Sequence, residues 1–319
     1  MRKKDNLSIL IGPTAIGKTD LSIRLAGHLN GEIISADSMQ IYRHMNIGTA
    51  KISEKEMKGI PHYLVDIVYP DEEYSVADYK NQAVEIIKDI NSRGKTALLV
   101  GGTGLYINSL VYDLNFSRAA ANDDIRMKYE ALADRYGNEY LHSELMKIDS
   151  VSANKIKLGD RKRLIRAIEV YEVTGKKMSD QNMNFRKESE DFNLIMLGLN
   201  MDRTKLYERI NSRVDKMLED GLVDEVAKLL EMGYHKNLTS LQGIGYKEII
   251  MYMEGQISLD EAIEKIKRGT RNYAKRQLTW FKRDRRIKWF DIDKFSDIED
   301  LLESILAYTY GQLKNKEER

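Results

Sequence analysis

The stretch Gly12-Pro13-Thr14-Ala15-Ile16-Gly17-Lys18-Thr19 constrains this chain more than any other. Its spacing, G-x-x-x-x-G-K-[ST], is that of a loop whose backbone N–H groups surround a pyrophosphate. The loop follows an apolar run, Leu7 to Ile11, and precedes a helix-like stretch, Asp20 to Leu29. Strand, loop and helix in that order are the setting in which such a loop works, because the positive end of the helix adds attraction for an anion. In this setting Lys18 reaches the outer phosphate oxygens and Thr19 offers its hydroxyl to a Mg2+ ion. The motif does not say whose phosphates it holds.

Beyond the loop the chain alternates in the same way. Glu32 to Ser35 reads as a second strand, Tyr63 to Ile67 as a third, and Thr96 to Val100 as a buried strand ending in Gly101-Gly102. Between them Ala77 to Ile90 has helical apolar spacing, with Ser75 and Asp78 as a capping pair. Alternating strands and helices predict an α/β fold with a P-loop NTPase-like parallel sheet. Residues from about 118 to 190 read as a mainly helical insertion, with Phe185 to Asp191 as a polar loop, and Leu194 to Leu199 returns to the sheet. The expected division is therefore 1–117 as the first part of the core, 118–190 as the insertion, and 191–319 as the return to the core with a helical C-terminal region. Asp202 caps a helix carrying Leu206, Ile210, Val214, Met217 and Leu218, which Gly221 breaks or bends, and Ser258 with Glu261 caps a long helix that is expected to carry the basic residues between Lys265 and Lys288.

Composition narrows the chemistry. The 319 residues contain no cysteine, which excludes disulfides, thiolate metal sites and a thiol nucleophile. The five histidines lie far apart, so any metal is expected to be Mg2+ on oxygen ligands. No apolar run approaches membrane-spanning length and the basic N-terminus lacks a signal-type apolar region, so a cytoplasmic protein is expected. The net charge of +1 conceals an asymmetry: between Lys265 and Lys288 stand eleven Lys or Arg and one acid, Asp284. That block carries +10 and the remainder −9. A basic block on an acidic chain points to a polyanionic partner or, more plainly, to a solvated helix face.

A phosphate loop alone admits a kinase, an ATPase, a GTPase, or a transferase with a diphosphate leaving group. In a parallel sheet the carboxyl ends of the strands face the ligand. Asp37, just past the second strand, is thus placed near the reacting centre as a general base or Mg2+ ligand, or as a simple turn cap. Gly101-Gly102-Thr103-Gly104 lets the backbone approach a ligand at the same edge and presents the Thr103 hydroxyl. No acidic residue ends that strand, which disfavours an ordinary motor ATPase.

The chain resembles the tRNA dimethylallyltransferases in the loop at 12–19, in Ile34-Ser35-Ala36-Asp37-Ser38-Met39-Gln40-Ile41-Tyr42 and in Met45-Asn46-Ile47-Gly48-Thr49-Ala50-Lys51. The likeness continues through Pro61-His62-Tyr63-Leu64, Leu99 to Tyr106, Leu241 to Glu248 and Tyr273 to Phe281. The pattern departs before Asp160, where Lys157-Leu158-Gly159 stands, and at Ala119-Ala120-Ala121-Asn122-Asp123. The resemblance implies transfer of a dimethylallyl group from dimethylallyl diphosphate to N6 of the adenosine 3′ to the tRNA anticodon. It implies that Gly12, Pro13, Thr14, Ala15, Ile16, Gly17, Lys18 and Thr19 hold the diphosphate, with Arg213 or Arg209 beside it, and that Thr19 holds Mg2+. Asp37, Thr103 and Lys18 are then the catalytic residues. Contacts to the tRNA anticodon stem-loop fall to Asp37, Ser38, Met39, Gln40, Thr103, Arg126, Lys162, Arg163, Leu164, Ile165, Arg166, Lys275 and Arg276. Met39 and Tyr42 are candidates to line the allylic tail, and Tyr273, Trp280 and Phe281 to grip RNA or to pack in the core. A monomer is expected. A prenyltransferase acting on free adenine nucleotides, a small-molecule kinase and a non-catalytic RNA-binding protein are the alternatives.

Overall fold

The computed structural model describes residues 4–114, 122–181 and 187–317. The chain divides into two compact units, 1–107 with 190–319, and 108–189. The expected loop at 185–191 and the stretch at 119–123 lie partly outside the described residues.

The first unit opens with β1 (Asp5–Ile11), α1 (Lys18–His28), β2 (Gly31–Ala36), a short α2 (Glu54–Met57), β3 (His62–Tyr63), α3 (Val76–Ser92), β4 (Thr96–Gly101) and the start of α4 (Gly104–Val111). The second unit holds α5 (Asp123–Tyr136), α6 (Asn138–Ile148), α7 (Ser150–Lys155), α8 (Arg161–Thr174) and α9 (Met178–Gln181). The first unit resumes with β5 (Phe192–Asn200), α10 (Arg203–Glu219), α11 (Leu222–Glu231), α12 (Tyr246–Met253), α13 (Leu259–Phe281), β6 (Lys288–Asp291) and α14 (Ile298–Glu317).

The strands form one parallel six-stranded sheet in the order β3-β2-β4-β1-β5-β6. This is the α/β fold expected from the sequence. Central β1 is flanked by β4 and β5, with Ile11 opposite both Gly101 and Gly198. Leu7, Ile9, Leu10 and Ile11 are wholly buried, as a strand covered on both faces requires. One core lies where α1, α10 and α14 cover the sheet, through Leu21, Leu25, Leu197, Ile210 and Leu302. Another gathers α11, α12 and α13 against the segment after β2, through Ile41, Met45, Leu222, Tyr246 and Ile266.

Two expectations are corrected. The third strand is only His62–Tyr63, because Leu64 and Asp66 take positive φ, 61° and 54°, and turn the chain out of the sheet. The basic block does not ride on one helix: α13 ends at Phe281, Lys282 to Arg286 form the turn beyond it, and Lys288 begins an edge strand. Of the two readings of Gly221, the break is the one found: at φ 98° it separates α10 from α11. The two capping pairs form as expected, with Ser75 and Ser258 each accepting from the third helical N–H.

The second unit is a helical cluster around Leu141, Leu145, Leu164 and Ile168. Asp160 caps α8 by accepting the Arg163 N–H at 3.3 Å. Glu169 is fully buried, yet accepts from Arg126 Nε at 2.8 Å, Arg166 Nη1 at 2.6 Å and the Asn122 N–H at 2.8 Å. Burial pushes its carboxyl up, but these donors outweigh it and hold the group below the usual range.

Candidate active site

All strand carboxyl ends lie along one edge of the parallel sheet, where such sheets place ligands. There the first unit has a cavity of about 800 Å³. The loop after β1 forms one wall. Ala15 and Gly17 take positive φ, 65° and 98°, so this loop curls before α1 begins. No side chain caps the N-terminus of α1, and its first-turn N–H groups remain available to an anion.

Lys18 folds back over the loop. Its ammonium donates to the carbonyls of Gly12 and Pro13, each at 2.9 Å. Burial and the neighbouring Arg213 guanidinium push its pKa down to about 8, against an upward pull from Asp37. Arg213 itself is lowered by burial and drawn back by Asp37. Lysine, arginine and aspartate thus share one electrostatic neighbourhood, although they come from α1, α10 and the segment after β2.

Asp37 stands one residue past β2 and lines the cavity. Its Oδ1 accepts the Met39 N–H at 2.9 Å, while Oδ2 accepts no hydrogen bond among the described residues. The carboxylate is thus anchored on one side and open on the other. Thr103 is the last residue of the loop between β4 and α4, and its N–H reaches the Ala36 carbonyl at 3.0 Å. The Thr103 hydroxyl accepts the Ser38 N–H at 3.0 Å and lies 3.3 Å from Ser38 Oγ. This joins the loops after β2 and β4. Their closeness depends on Gly101, where a Cβ would fall 2.3 Å from the Ala36 carbonyl oxygen.

Of the residues expected at a site, some line the cavity and others, Gly12 and Pro13 among them, do not. Thr14, Ala15, Ile16, Gly17, Lys18, Thr19, Asp37, Gln40, Arg209 and Arg213 all line the cavity. Arg209 reaches the Ile16 carbonyl at 3.3 Å. Both arginines therefore face the loop, and Asp215, also on α10, pairs instead with Lys267 at 2.7 Å. Met39 and Tyr42 are not on the cavity wall. Tyr42 is buried, and Met39 packs against Gly243, where a Cβ would meet its Cε at 2.5 Å. Phe281 is core, Trp280 packs on Gly104, and Tyr273 lines the cavity. Burial pushes the Tyr273 hydroxyl up to about 12, with Asp37 adding to the shift and Thr103 opposing it.

In the second unit Lys162 and Arg163 are exposed, whereas Leu164 and Ile165 are 0% and 3% exposed inside the helical core. Those two side chains are withdrawn from any surface contact, because α8 turns that face inward. Arg126 and Arg166 are only partly exposed and both are bound to Glu169. Lys275 and Arg276 lie on the exposed face of α13.

Two residues escaped the sequence reading. Gln277 lines the cavity from α13, though it sits inside the Tyr273 to Phe281 block. Glu225 on α11 accepts the N–H groups of Asn46, Ile47 and Gly48 at 2.8, 2.7 and 3.1 Å, and the Tyr246 hydroxyl at 2.7 Å. The only signal for it was indirect: Gly48, where a Cβ would collide with the Tyr246 ring at 2.5 Å. The clamp holds the segment to which Gln40 Nε2 also bonds, through the Thr49 and Ala50 carbonyls at 3.4 Å.

The family model described as IPP transferase matches residues 40–284. A tRNA dimethylallyltransferase of Thermoanaerobacter sp. (strain X514) is 53% identical over 96% of this chain and 98% of its own length. One from Clostridioides difficile (strain 630) is 50% identical over 98% of this chain and 100% of its own. Among solved structures, the full-length tRNA isopentenylpyrophosphate transferase of Bacillus halodurans is 44% identical, covers 99% of both chains and superposes with a TM-score of 0.74. A eukaryotic dimethylallyltransferase acting on tRNA is 30% identical, with a TM-score of 0.80 over 98% of this chain and 80% of its own.

Proposed function

The chain belongs to the IPP transferase family, the tRNA dimethylallyltransferases, and is a transferase acting on tRNA; from that premise we propose that it moves the dimethylallyl group of dimethylallyl diphosphate onto N6 of the adenosine 3′-adjacent to the anticodon. One observation carries this reading: Asp37, open at Oδ2, faces the same cavity as Lys18, Arg213 and the uncapped N-terminus of α1. A base and an anion cradle on one cavity are what alkyl transfer from a diphosphate needs.

As the carbon–oxygen bond to the diphosphate breaks, negative charge builds on the leaving oxygens. The loop N–H groups, Lys18 and Arg213 stabilise that charge where it develops. The N6 nitrogen forms the new bond to the allylic carbon, and Asp37 takes the proton it sheds. Thr103, tied to Ser38, holds the adenosine against Asp37. The target base reaches the cavity by leaving its stack, which costs a few kcal/mol and is least in a loop.

Among the described residues no three carboxylates or histidines converge into an all-protein metal cage. The donor set suits Mg2+, which is commonly held by one or two protein oxygens, phosphate oxygens and water. The Thr19 hydroxyl, on the cavity wall, would be that protein oxygen. Bound there, the ion supplies further positive charge to the leaving group. Among the described residues no helix is long and apolar enough to cross a membrane.

The test is label transfer. The protein, Mg2+ and radiolabelled dimethylallyl diphosphate are incubated with unmodified tRNA or with AMP, and ATP turnover is followed in parallel. Label at the adenosine beside the anticodon is expected. Label on AMP alone, or ATP turnover without transfer, overturns the reading.

A further inference from the structure

Gln277 of α13 is 6% exposed, and its amide is shared between two loops. Its Oε1 accepts the Thr14 N–H at 2.9 Å, and its Nε2 donates to the Gly102 carbonyl at 3.0 Å. Thr14 belongs to the loop that receives the diphosphate. Gly102 directly precedes Thr103, in the loop that faces the acceptor. The strands beneath these loops are neighbours, but the β1–β4 register ends at Ile11 opposite Gly101. Beyond that pair the backbone ladder stops, and the Gln277 side chain spans the gap.

The fit is close. A Cβ at Gly102 would fall 2.0 Å from Nε2, so only glycine admits the amide there. At Gly104 a Cβ would lie 2.4 Å from Trp280 Nε1. Tyr273, Gln277 and Trp280 are spaced four and three apart, which puts them on one face of α13. That face follows the acceptor loop. A carboxamide offers an acceptor and a donor in one plane, and here it satisfies a backbone N–H on one loop and a backbone carbonyl on the other. A carboxylate, which only accepts, or an ammonium, which only donates, would leave one of them unmatched at this position.

We propose that Gln277 is a positioning residue that sets the spacing between the diphosphate loop and the Thr103 loop, and so aligns the allylic carbon with the attacking nitrogen. This rests on the transfer reading above. Gln277 binds neither substrate; it acts through Thr14 and Gly102. Alignment of two reactants is sensitive to small displacements, with an error of about 1 Å costing on the order of 10²-fold in rate.

Gln277→Met keeps the side-chain length and removes both hydrogen bonds. The expected result is a fall in kcat for label transfer to tRNA of roughly 10- to 100-fold. The dissociation constant for Mg2+-pyrophosphate, measured by calorimetry, is expected to stay within about threefold of the unaltered protein. A kcat within about threefold of the unaltered value overturns the proposal. So does a loss of pyrophosphate affinity as large as the loss in kcat, because Gln277 would then build the anion site rather than align it. Gln277→Glu keeps the acceptor for Thr14 and loses the donor to Gly102. Should the Met variant fail to fold, the same split between kcat and affinity is read in the Glu variant. Transfer by the unaltered protein is the control: its absence sinks the reading of function, whereas only the ratio of variant to unaltered protein bears on Gln277.

Discussion

At Asp37 one carboxylate oxygen is fixed by the Met39 N–H and the other is open to the cavity. Asp37→Ala should therefore cut turnover by about 10²–10⁴-fold. Pyrophosphate binding, measured by calorimetry, should be largely intact, and near-normal turnover would remove Asp37 from the base role. Lys18 behaves differently because its charge is conditional. Its pKa of about 8 in the ligand-free protein lies below the ordinary 10.5, and a bound diphosphate favours the ammonium and pulls the value back up. Affinity should thus be greatest below pH 8 and decline as pH rises through it, by up to about tenfold per unit. Lys18→Arg keeps the charge and should flatten that decline; an equal decline in both proteins would place the titration elsewhere. Lys18 and Asp37 were legible in the sequence because each follows a strand end in a recognisable motif. The choice between Arg209 and Arg213 was not. They are one helical turn apart, and only folding shows that both face the loop while Asp215 is taken up by Lys267.

Elements were legible where local pattern and final packing agree. The strands β1, β2, β4 and β5 are short apolar runs that end up buried, and the caps at Ser75 and Ser258 depend on neighbours three residues away. The rest depends on partners distant in sequence. Edge strand β6 and α14 carry no comparable signal, and the core contacts of α14 with the first unit appear only in three dimensions. The same holds for the Glu225 clamp, which links α11 to a segment about 180 residues earlier. Glu225→Ala leaves three N–H groups and the Tyr246 hydroxyl without their acceptor. A loss of about 2–4 kcal/mol is expected, read as a fall in Tm and faster amide exchange at 46–48. An unchanged Tm would show that the segment holds itself. On α13 the inward face carries Tyr273 and Gln277, while Lys275 and Arg276 face solvent, followed by exposed Lys282 and Arg283 in the turn. Neutralising those four cations should raise the KM for tRNA and lower the salt slope of binding by roughly 0.7–0.9 per lost phosphate contact. An unchanged slope would return the block to ordinary solvated surface.

For the molecule as a whole, the site draws its lining from β4, the loops after β1 and β2, and the helices α1, α10 and α13. A ligand that bridges their loops should stabilise the folded chain. Pyrophosphate with Mg2+ at about 100 times its dissociation constant should add roughly 2.7 kcal/mol, seen as a rise in Tm that Lys18→Ala abolishes; an equal rise in that variant would locate the anion elsewhere. The opposite rim of the sheet is held in another way. Glu32 at the start of β2 is hydrogen-bonded by Arg93, and by Lys95 and Tyr63, which together hold its pKa down to about 2 despite burial. A depressed carboxyl contributes stability above its ordinary pKa and loses it as pH falls toward 2. Glu32→Gln should accordingly flatten the drop in Tm between about pH 4.5 and 2. A parallel sheet thus assigns its two rims to separate tasks, and that separation is useful at the bench. Gly59, exposed at φ 76° with no atom within 4 Å of where a Cβ would stand, lies just ahead of β3 on the amino-terminal rim. An affinity tag or fluorophore carried on that rim would stand away from the residues that line the cavity, and label transfer should proceed at the unaltered rate.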